Sequence, residues 1–142
     1  MQAHVTLLAP FTRPEQLVAG RMREVREVLR DFEAFDFELI SIGYLGPVSR
    51  RVLYLRPEPG GRFIEMTDAV VRRFPEHPPY GNAGLDPVPH LTVAASADDA
   101  LLDGIEAAVQ TELPIGAAAT EAWIVVYGDG DCDIRSRIEL RS

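Results

Sequence analysis

The chain has 142 residues, of which 46% are hydrophobic and 25% are charged, and it carries a formal net charge of −8 at pH 7. A chain of this size and composition is expected to fold as one globular domain over residues 1–142, with a core that needs no disulfide or structural metal. The negative charge argues against a broad basic surface for long nucleic acids, but it is compatible with a small anionic ligand in a local pocket.

The cysteine content and the apolar runs bear on where the protein acts. Cys132 is the only cysteine in the chain, so an intramolecular disulfide cannot form, and the zinc spacings of paired cysteines do not occur. The N-terminal residues lack the basic segment of a secretory signal, and no run approaches the roughly 18 apolar residues of a membrane span. We therefore expect a cytoplasmic protein outside the membrane, with a monomer as the default state.

The first predicted elements are a strand and a helix. Residues 4–8 are rich in β-forming side chains, which predicts a short buried strand at the start of the chain. Thr12 and Glu15 have the spacing of a capping box, and apolar residues repeat after them at helical intervals. This pattern predicts a helix over residues 13–32.

A hairpin and a second helix are predicted next. Apolar residues alternate with acidic ones from Phe35 to Leu39, and the apolar phase then shifts to Ile40, which predicts a long strand with a bend or bulge. Residues 52–55 are typical of a returning antiparallel strand, and a cluster of prolines and glycines ends it. A helix is predicted over residues 63–74.

Residues 75–89 are predicted to form a loop. They contain five prolines together with Gly81 and Gly84. Proline lacks an N–H donor, and this composition supports neither a helix nor a central strand. Loops of this length are often binding segments or lids, and a plain connector between two lobes is an equal alternative.

The second half of the chain repeats the order of elements of the first. A strand is predicted at 91–95, and Ser96 with Asp99 forms a second capping pair before an amphipathic helix. Two strands follow at 122–127 and 134–140, joined by a Gly-Asp-Gly-Asp turn. The order β-α-β-β therefore occurs twice.

This duplication, over about residues 1–75 and 88–142, places two short motifs at equivalent points. The motifs are His-Val-Thr at 4–6 and His-Leu-Thr at 90–92. Side chains alternate along a strand, so the histidine and threonine of each motif share one face while the apolar residue between them points to the core. One such motif alone is an ordinary strand segment, but two copies at matched positions are hard to attribute to accident. Packing with two-fold pseudosymmetry would bring them together.

Together the motifs have the residue types of a phosphoryl-transfer site. Histidine titrates near neutral pH, so one of His4 and His90 can remove a proton while the other donates one, and each role is worth roughly 10²–10⁴-fold in rate. The hydroxyls of Thr6 and Thr92 can donate to the nonbridging phosphate oxygens, where negative charge builds up. Such a site requires neither a metal nor another cofactor, and we expect none.

The sequence resembles the two-histidine (2H) phosphoesterase superfamily, which includes the bacterial 2′-5′ RNA ligases and RNA 2′,3′-cyclic phosphodiesterases. The resemblance rests on His-Val-Thr-Leu-Leu-Ala-Pro-Phe at 4–11, on Pro-His-Leu-Thr-Val-Ala at 89–94, and on the order of the elements around them. It implies an α+β fold in which duplicated β-α-β-β halves form two antiparallel-sheet lobes with outer helices and a central cleft. It also implies that the two histidines are catalytic and that the two threonines bind phosphate.

Four further residues are candidates for substrate binding. Phe11 and Tyr80 can stack on a nucleobase, although core packing is the stronger alternative for Phe11. Tyr44 and Arg51 lie near the end of the first predicted hairpin, where they can reach a ligand, although ordinary packing and surface roles are the stronger alternative. The remaining histidine, His77, has no partner pattern and is predicted to lie at the surface.

These features predict a metal-independent phosphodiesterase that opens a 2′,3′-cyclic phosphate or a similar phosphodiester. Two alternatives stay open on sequence grounds: a 2′-5′ RNA ligase type of activity, and a module that binds a phosphate or nucleotide without turning it over. The acidic composition favours a small nucleotide-like substrate or an RNA terminus over a long nucleic acid.

Overall fold

The computed structural model describes residues 2–81 and 86–142. This part of the chain has an α+β architecture, which confirms the predicted fold class. In chain order the elements are α1 (Ala19–Leu29), β1 (Phe35–Leu45), β2 (Arg51–Glu58), α2 (Gly61–Arg73), β3 (Leu91–Ser96), α3 (Asp99–Gln110), β4 (Ile115–Ala119), β5 (Glu121–Tyr127) and β6 (Cys132–Glu139). None of these described helices is long and apolar enough to cross a membrane.

The strands form two antiparallel sheets. One sheet has four strands in the order β3-β2-β1-β4, and the other is the β5-β6 hairpin, which closes at the predicted Gly128 to Asp131 turn. The four-stranded sheet takes β1 and β2 from the first predicted repeat and β3 and β4 from the second. The two halves of the sequence therefore interleave within one sheet.

The bulge predicted from the shift of apolar phase is present in β1. The pairing with β2 passes from Leu39↔Pro57 directly to the pair at Ser41, so one residue of β1 is left over. Beyond the bulge, Leu53 of β2 points to one side of the sheet and Tyr54 points to the other. We call these two sides the Leu53 face and the Tyr54 face.

Two groups of apolar side chains hold the elements together. The larger group joins α1, α2 and the β5-β6 hairpin through buried residues that include Phe74, Ile138 and Leu140. On the Leu53 face, Leu53 and Leu102 of α3 are both completely buried. Helix α3 therefore covers the Leu53 face of the sheet.

Helix α1 begins later than predicted. It starts at Ala19, after a single 3₁₀ turn at Pro14–Gln16 and an extended residue, Val18. The expected capping box does not form, because the Thr12 hydroxyl bonds the side chain of Gln16 (3.3 Å) and no backbone N–H. The chain thus breaks between the 3₁₀ turn and the helix, where the sequence pattern predicts continuous helix.

The other two helices lie where they were predicted. Helix α2 matches the helix expected over residues 63–74 to within two residues at its start. The cap of α3 is Asp98 and not Ser96: the Asp98 carboxylate accepts a hydrogen bond from the Leu101 N–H (3.2 Å), while the Ser96 hydroxyl accepts one from the Asp98 N–H (3.0 Å). The carboxylate also suits the positive end of the helix dipole.

The predicted loop at 75–89 lies partly outside the described residues, because 82–85, with Gly84, are not among them. Its described parts contain one 3₁₀ turn, Pro79–Gly81, and no α-helix or strand. The loop prediction is confirmed for those parts.

Candidate active site

The centres of the two His-x-Thr motifs are paired with each other. Val5 and Leu91 form an antiparallel β-bridge, so the first motif lies alongside the start of β3. The predicted strand at 4–8 is otherwise wrong, because only Val5 in it has ladder pairing. The Leu7 carbonyl instead accepts a hydrogen bond from the buried Thr67 hydroxyl of α2 (2.7 Å). This bond ties the segment after the first motif to α2.

The bridge brings the four polar side chains of the motifs together. In an antiparallel pair the neighbours of the bridged residues face each other, so His4 lies opposite Thr92 and Thr6 lies opposite His90. Diagonal neighbours in such a pair are roughly 7–8 Å apart, which sets the separation expected of the two histidine Cα atoms. Thr92 is also the cross-strand partner of Tyr54, so the group lies on the Tyr54 face. His90 is half-buried and the other three residues are exposed.

Both imidazole rings are held in the same way. The Nδ1 of His4 lies 3.0 Å from the carbonyl oxygen of Gln2, and the Nδ1 of His90 lies 2.6 Å from that of Val88. A carbonyl oxygen only accepts, so Nδ1 carries the proton and Nε2 of the neutral ring keeps its lone pair. Each histidine thus keeps Nε2 for proton transfer, and each uses the carbonyl two residues before it.

Tyr54, which was not among the predicted site residues, packs against His90. The two rings make an edge-to-face contact with their centroids 5.6 Å apart and an interplanar angle of 67°. The Tyr54 ring also lies over Gly43, its cross-strand partner in β1, where an added Cβ would come within 2.5 Å of Oη. A glycine inside a strand often marks a close approach of this kind, so Gly43 is the signal that could have pointed to Tyr54.

Arg56 places a positive charge on the same face. It is exposed and lies two residues after Tyr54 in β2, and the adjacent pair Leu55↔Leu91 sets it next to His90 in register. Within the described part of the chain it forms no ion pair. Although the net charge of the protein is −8, the Arg56 guanidinium places a positive charge beside the histidine pair.

A cavity of about 180 Å³ opens next to Thr6 and His90. Two of its walls are the chain segments on either side, residues 6–9 and residues 87–90. Helix α2 and the loop supply the remaining lining residues, Phe63, Thr67, Pro79 and Tyr80. The described lining residues include no acid and no arginine, so the cavity is a small and largely apolar compartment beside the polar group.

Tyr80 forms part of the wall of this cavity with an unusual backbone conformation. Its φ of 55° and ψ of 20° lie in the left-handed region, which residues with a Cβ rarely adopt. The Tyr80 N–H donates to the Ala9 carbonyl (3.2 Å), and the phenolic oxygen accepts from the Val88 N–H (3.3 Å). The structure therefore brings this predicted candidate to the site and links it to both walls.

Phe11 packs in the core and does not line the cavity. Its ring makes edge-to-face contacts with Phe74 (5.2 Å between centroids) and with His77 (5.1 Å), as the alternative of core packing predicts. His77 lies at the surface beside Glu76, with its side chain 21% exposed and its ring packed partly against Phe11.

Tyr44 and Arg51 lie on the Leu53 face, so the structure does not bring them to the histidine pair. The Arg51 guanidinium stacks on the Tyr44 ring at 4.1 Å and pairs with Asp99 of α3 (3.4 Å). The Tyr44 hydroxyl donates to Glu106 of α3 (3.1 Å). Partial burial and this bond to a carboxylate raise the pKa of Tyr44 above its usual value. These residues fasten α3 to the sheet.

The groups at the paired motifs are imidazoles, hydroxyls and one guanidinium. Such groups can hold a phosphodiester by hydrogen bonds and can exchange protons with it. Among residues 2–81 and 86–142, no group of three or more histidine, cysteine, aspartate or glutamate side chains is placed to hold a metal ion.

This chain is similar to a known protein family and to a curated bacterial protein. A family model described as the 2′-5′ RNA ligase superfamily matches residues 1–131. A curated relative from Bacillus licheniformis is 26% identical over 96 residues, and its name provisionally gives it as a phosphoesterase. The matched region covers 68% of this chain and 54% of that relative, so the similarity spans about half of the relative's length.

Proposed function

The chain belongs to the 2′-5′ RNA ligase superfamily, and from this premise we propose that it is a metal-independent phosphodiesterase that opens a 2′,3′-cyclic phosphate on a nucleotide or an RNA end. The family supports an activity of the phosphodiesterase type, and the cyclic phosphate is the finer part of the proposal. The observation that carries it is the Val5–Leu91 bridge, which sets each histidine opposite the threonine of the other motif.

In the proposed reaction the two histidines act as base and acid. The neutral ring accepts at Nε2 a proton from a water molecule whose oxygen attacks phosphorus. The protonated ring gives its Nε2 proton to the leaving 3′ oxygen as that P–O bond breaks, and the product is a 2′-phosphomonoester with a free 3′ hydroxyl. The Nδ1 bonds to Gln2 and Val88 support this scheme, because they leave both Nε2 atoms for proton transfer.

The charge on the phosphate is met by neutral donors and by one cation. The hydroxyls of Thr6 and Thr92 each lie opposite a histidine and donate to the nonbridging oxygens, where charge grows in the transition state. Arg56 adds a guanidinium on the same face. One cation suits a cyclic diester with a single negative charge, and the acidic surface disfavours a long polyanion.

The proposal is tested with purified protein in EDTA and a 2′,3′-cyclic nucleotide, with the product identified by phosphorus NMR. We expect His4→Ala and His90→Ala each to lower kcat by roughly 10²–10⁴-fold. His77→Ala is the matched control, since the third histidine lies against Phe11. Circular dichroism checks that each variant is folded. Full activity in either site variant, or loss of wild-type activity in EDTA, contradicts the proposal.

The family description favours the ligase alternative. The same assay tests it when a 2′-5′ linked dinucleotide is offered as a second substrate. Cleavage of a 2′-5′ linked dinucleotide with the cyclic phosphate left intact would replace the proposal. Calorimetric binding of the cyclic phosphate without any product after long incubation would instead identify a binding module.

A further inference from the structure

We propose that the groove between α1 and β6 is a second anion-binding site, which takes the phosphate group of a small molecule. The groove is open, has a volume of about 500 Å³, and is lined by six residues of α1, its C-terminal cap and the β5-β6 hairpin: Arg26, Arg30, Glu121, Arg137, Ile138 and Glu139. None of them belongs to a His-x-Thr motif or lines the cavity beside Thr6 and His90. The inference is therefore independent of the proposed phosphodiesterase function.

Three of the six lining residues are arginines, whose guanidinium groups stay protonated in proteins. Within residues 2–81 and 86–142 none of the three forms an ion pair, although the chain has 22 acidic residues. Arg21 of α1 and Arg73 of α2, by contrast, each pair with an acid, at 3.5 Å and 3.4 Å. Guanidinium groups that line one groove repel one another, so an anion that lies between them is stabilised.

Two of these arginines are held by neutral partners. The Arg26 guanidinium donates to the Ser136 hydroxyl at 3.1 Å. The Arg137 guanidinium lies over the Trp123 ring, 4.6 Å from its centroid. A hydroxyl and an indole ring orient a guanidinium without neutralising it, and a stacked guanidinium keeps its in-plane N–H donors for an anion. The positive charge is thus oriented before a ligand binds.

The free edge of β6 adds backbone donors to the groove. The Leu140 N–H donates to the carbonyl of the residue before β5 (2.9 Å), whereas the Arg141 N–H points the other way, to a carbonyl of the segment after α1 (2.8 Å). N–H groups alternate in direction along a strand, so those of Arg137 and Glu139 also point away from β5. Within the part of the chain that the structure describes, these two N–H groups have no hydrogen-bond partner.

Two glutamates limit the charge that the groove can accept. Glu121 and Glu139 are cross-strand partners, and the Glu121 carboxylate accepts a hydrogen bond from the Trp123 indole N–H (2.7 Å). Three guanidinium groups against two carboxylates leave a surplus of one positive charge, which suits a small anion and disfavours a polyanion. A phosphate group with a charge of about −1.5 to −2 at pH 7 presents three acceptor oxygens to guanidinium and N–H donors.

The groove has more room than a phosphate group needs. Its volume of about 500 Å³ lies within the roughly 300–1,000 Å³ of sites for small organic ligands. The carboxylates of Glu121 and Glu139 can accept hydrogen bonds from hydroxyl groups of a molecule that carries the phosphate. Free phosphate and a sugar phosphate share the group that the arginines recognise, and the space and the carboxylates favour the sugar phosphate.

The test uses Trp123 as a reporter, because it is the only tryptophan of the chain and Arg137 is stacked on it. Its fluorescence is followed while the protein is titrated with ribose 5-phosphate, with inorganic phosphate, and with potassium chloride at matched ionic strength. We expect a saturable change with both phosphates, at lower concentration for ribose 5-phosphate, and none with chloride. Tighter binding of inorganic phosphate would assign the site to free phosphate. No saturable change with either phosphate, or an equal one with chloride, overturns the inference.

Substitutions in the groove test the arginines themselves. Arg26→Gln and Arg30→Gln each remove one charge and leave the stacked pair of Arg137 and Trp123 unchanged in sequence. Each should weaken the binding of ribose 5-phosphate by about 3- to 10-fold. Arg23→Gln is the matched control, because Arg23 is an exposed arginine of α1 that does not line the groove. Circular dichroism checks the fold, and the inference is wrong if both groove variants bind as this control does.

His90→Ala separates the groove from the histidine pair. The fluorescence change should be the same in this variant as in the wild type, because His90 does not line the groove. A change that is lost in His90→Ala and kept in Arg26→Gln would assign the phosphate to the histidine pair and would overturn the inference. If the wild type shows the change in the groove but hydrolyses no cyclic phosphate, the proposed function fails and the assignment of the groove holds.

Discussion

Gly43→Ala is expected to impair the site without changing either histidine. An added Cβ would lie 2.5 Å from Oη and 2.8 Å from Cε1 of Tyr54, whereas ordinary contacts begin at 3.4 Å. The tyrosine ring must therefore move by roughly 0.9 Å, the difference between 3.4 and 2.5 Å. The same ring packs edge-to-face against His90 at 5.6 Å, so its displacement disturbs the support of that imidazole.

The displacement sets the expected loss of activity. A shift of about 1 Å in a catalytic arrangement can cost roughly 10²-fold in rate, so we expect kcat/KM to fall by about 10- to 100-fold. The cost in stability is smaller, because overpacking costs about 1–3 kcal/mol and the replacement of glycine in a strand recovers about 0.5–1 kcal/mol. A domain of ordinary stability, about 5–15 kcal/mol, remains folded after such a loss.

Gly116→Ala is the matched control for this experiment. It changes a glycine of β4 in the same sheet, where an added Cβ has no atom within 4 Å. The measurements are kcat/KM and urea unfolding for both variants and for Gly43→Ala in a Tyr54→Ala background. If the clash with Tyr54 is the cause, the glycine substitution has no further effect once the ring is gone. Wild-type kcat/KM in Gly43→Ala, or an equal loss with and without the tyrosine, refutes the reasoning.

Thr6→Val and Thr92→Val remove a hydroxyl at nearly constant volume, and each should lower kcat by roughly 10²–10³-fold with little change in Tm, because both side chains are exposed. Steady-state kinetics and thermal unfolding check this, and an unchanged kcat in both variants excludes the hydroxyls from the chemistry. Tyr44→Phe removes the bond to Glu106 and should lower the free energy of unfolding by about 1–2 kcal/mol near pH 8, with kcat/KM retained because Tyr44 lies on the Leu53 face. The raised pKa of Tyr44 in the folded protein makes this difference complete below the usual value of 10.0, and it should shrink as the pH rises through the folded-state pKa. Urea unfolding of both proteins at about pH 8 and about pH 10.5 measures the trend, which a growing difference contradicts.

Strong apolar patterns made much of the sheet predictable. The phase shift after Leu39 marks the bulge of β1, and the Gly-Asp-Gly-Asp segment marks the β5-β6 turn, where Gly130 has a φ of 81°. Strand β4 was missed, because Ile115–Ala119 contains a glycine and three alanines and lacks alternation. It forms because its backbone pairs with the N-terminal half of β1, from Phe35↔Ala119 to Leu39↔Ile115.

The motifs could be located from the sequence, but their neighbours could not. Tyr54 contacts His90, and Arg56 lies beside it in register, because β2 pairs with β3, a long-range pairing that no local pattern specifies. Tyr44 and Arg51 were candidates for ligand contact because they lie near the hairpin end, with packing and surface roles as the stronger alternative. A shift of one residue along a strand reverses the face, and both side chains lie on the face that α3 covers.

The two motifs are equivalent in sequence but unequal in their surroundings. Residues 90–92 lie at the start of β3 with Tyr54 packed on the histidine, whereas residues 4–6 are attached by one bridge and by the Thr67–Leu7 bond beyond it. In the proposed enzyme the two histidines supply the proton-transfer groups, each oriented by the carbonyl two residues earlier. The cavity owes Phe63 and Thr67 to α2, and Tyr80 to the loop, and neither element has a counterpart in the second half. In the proposed enzyme the two motifs therefore supply like chemical groups, and the asymmetry of the site comes from α2 and the loop.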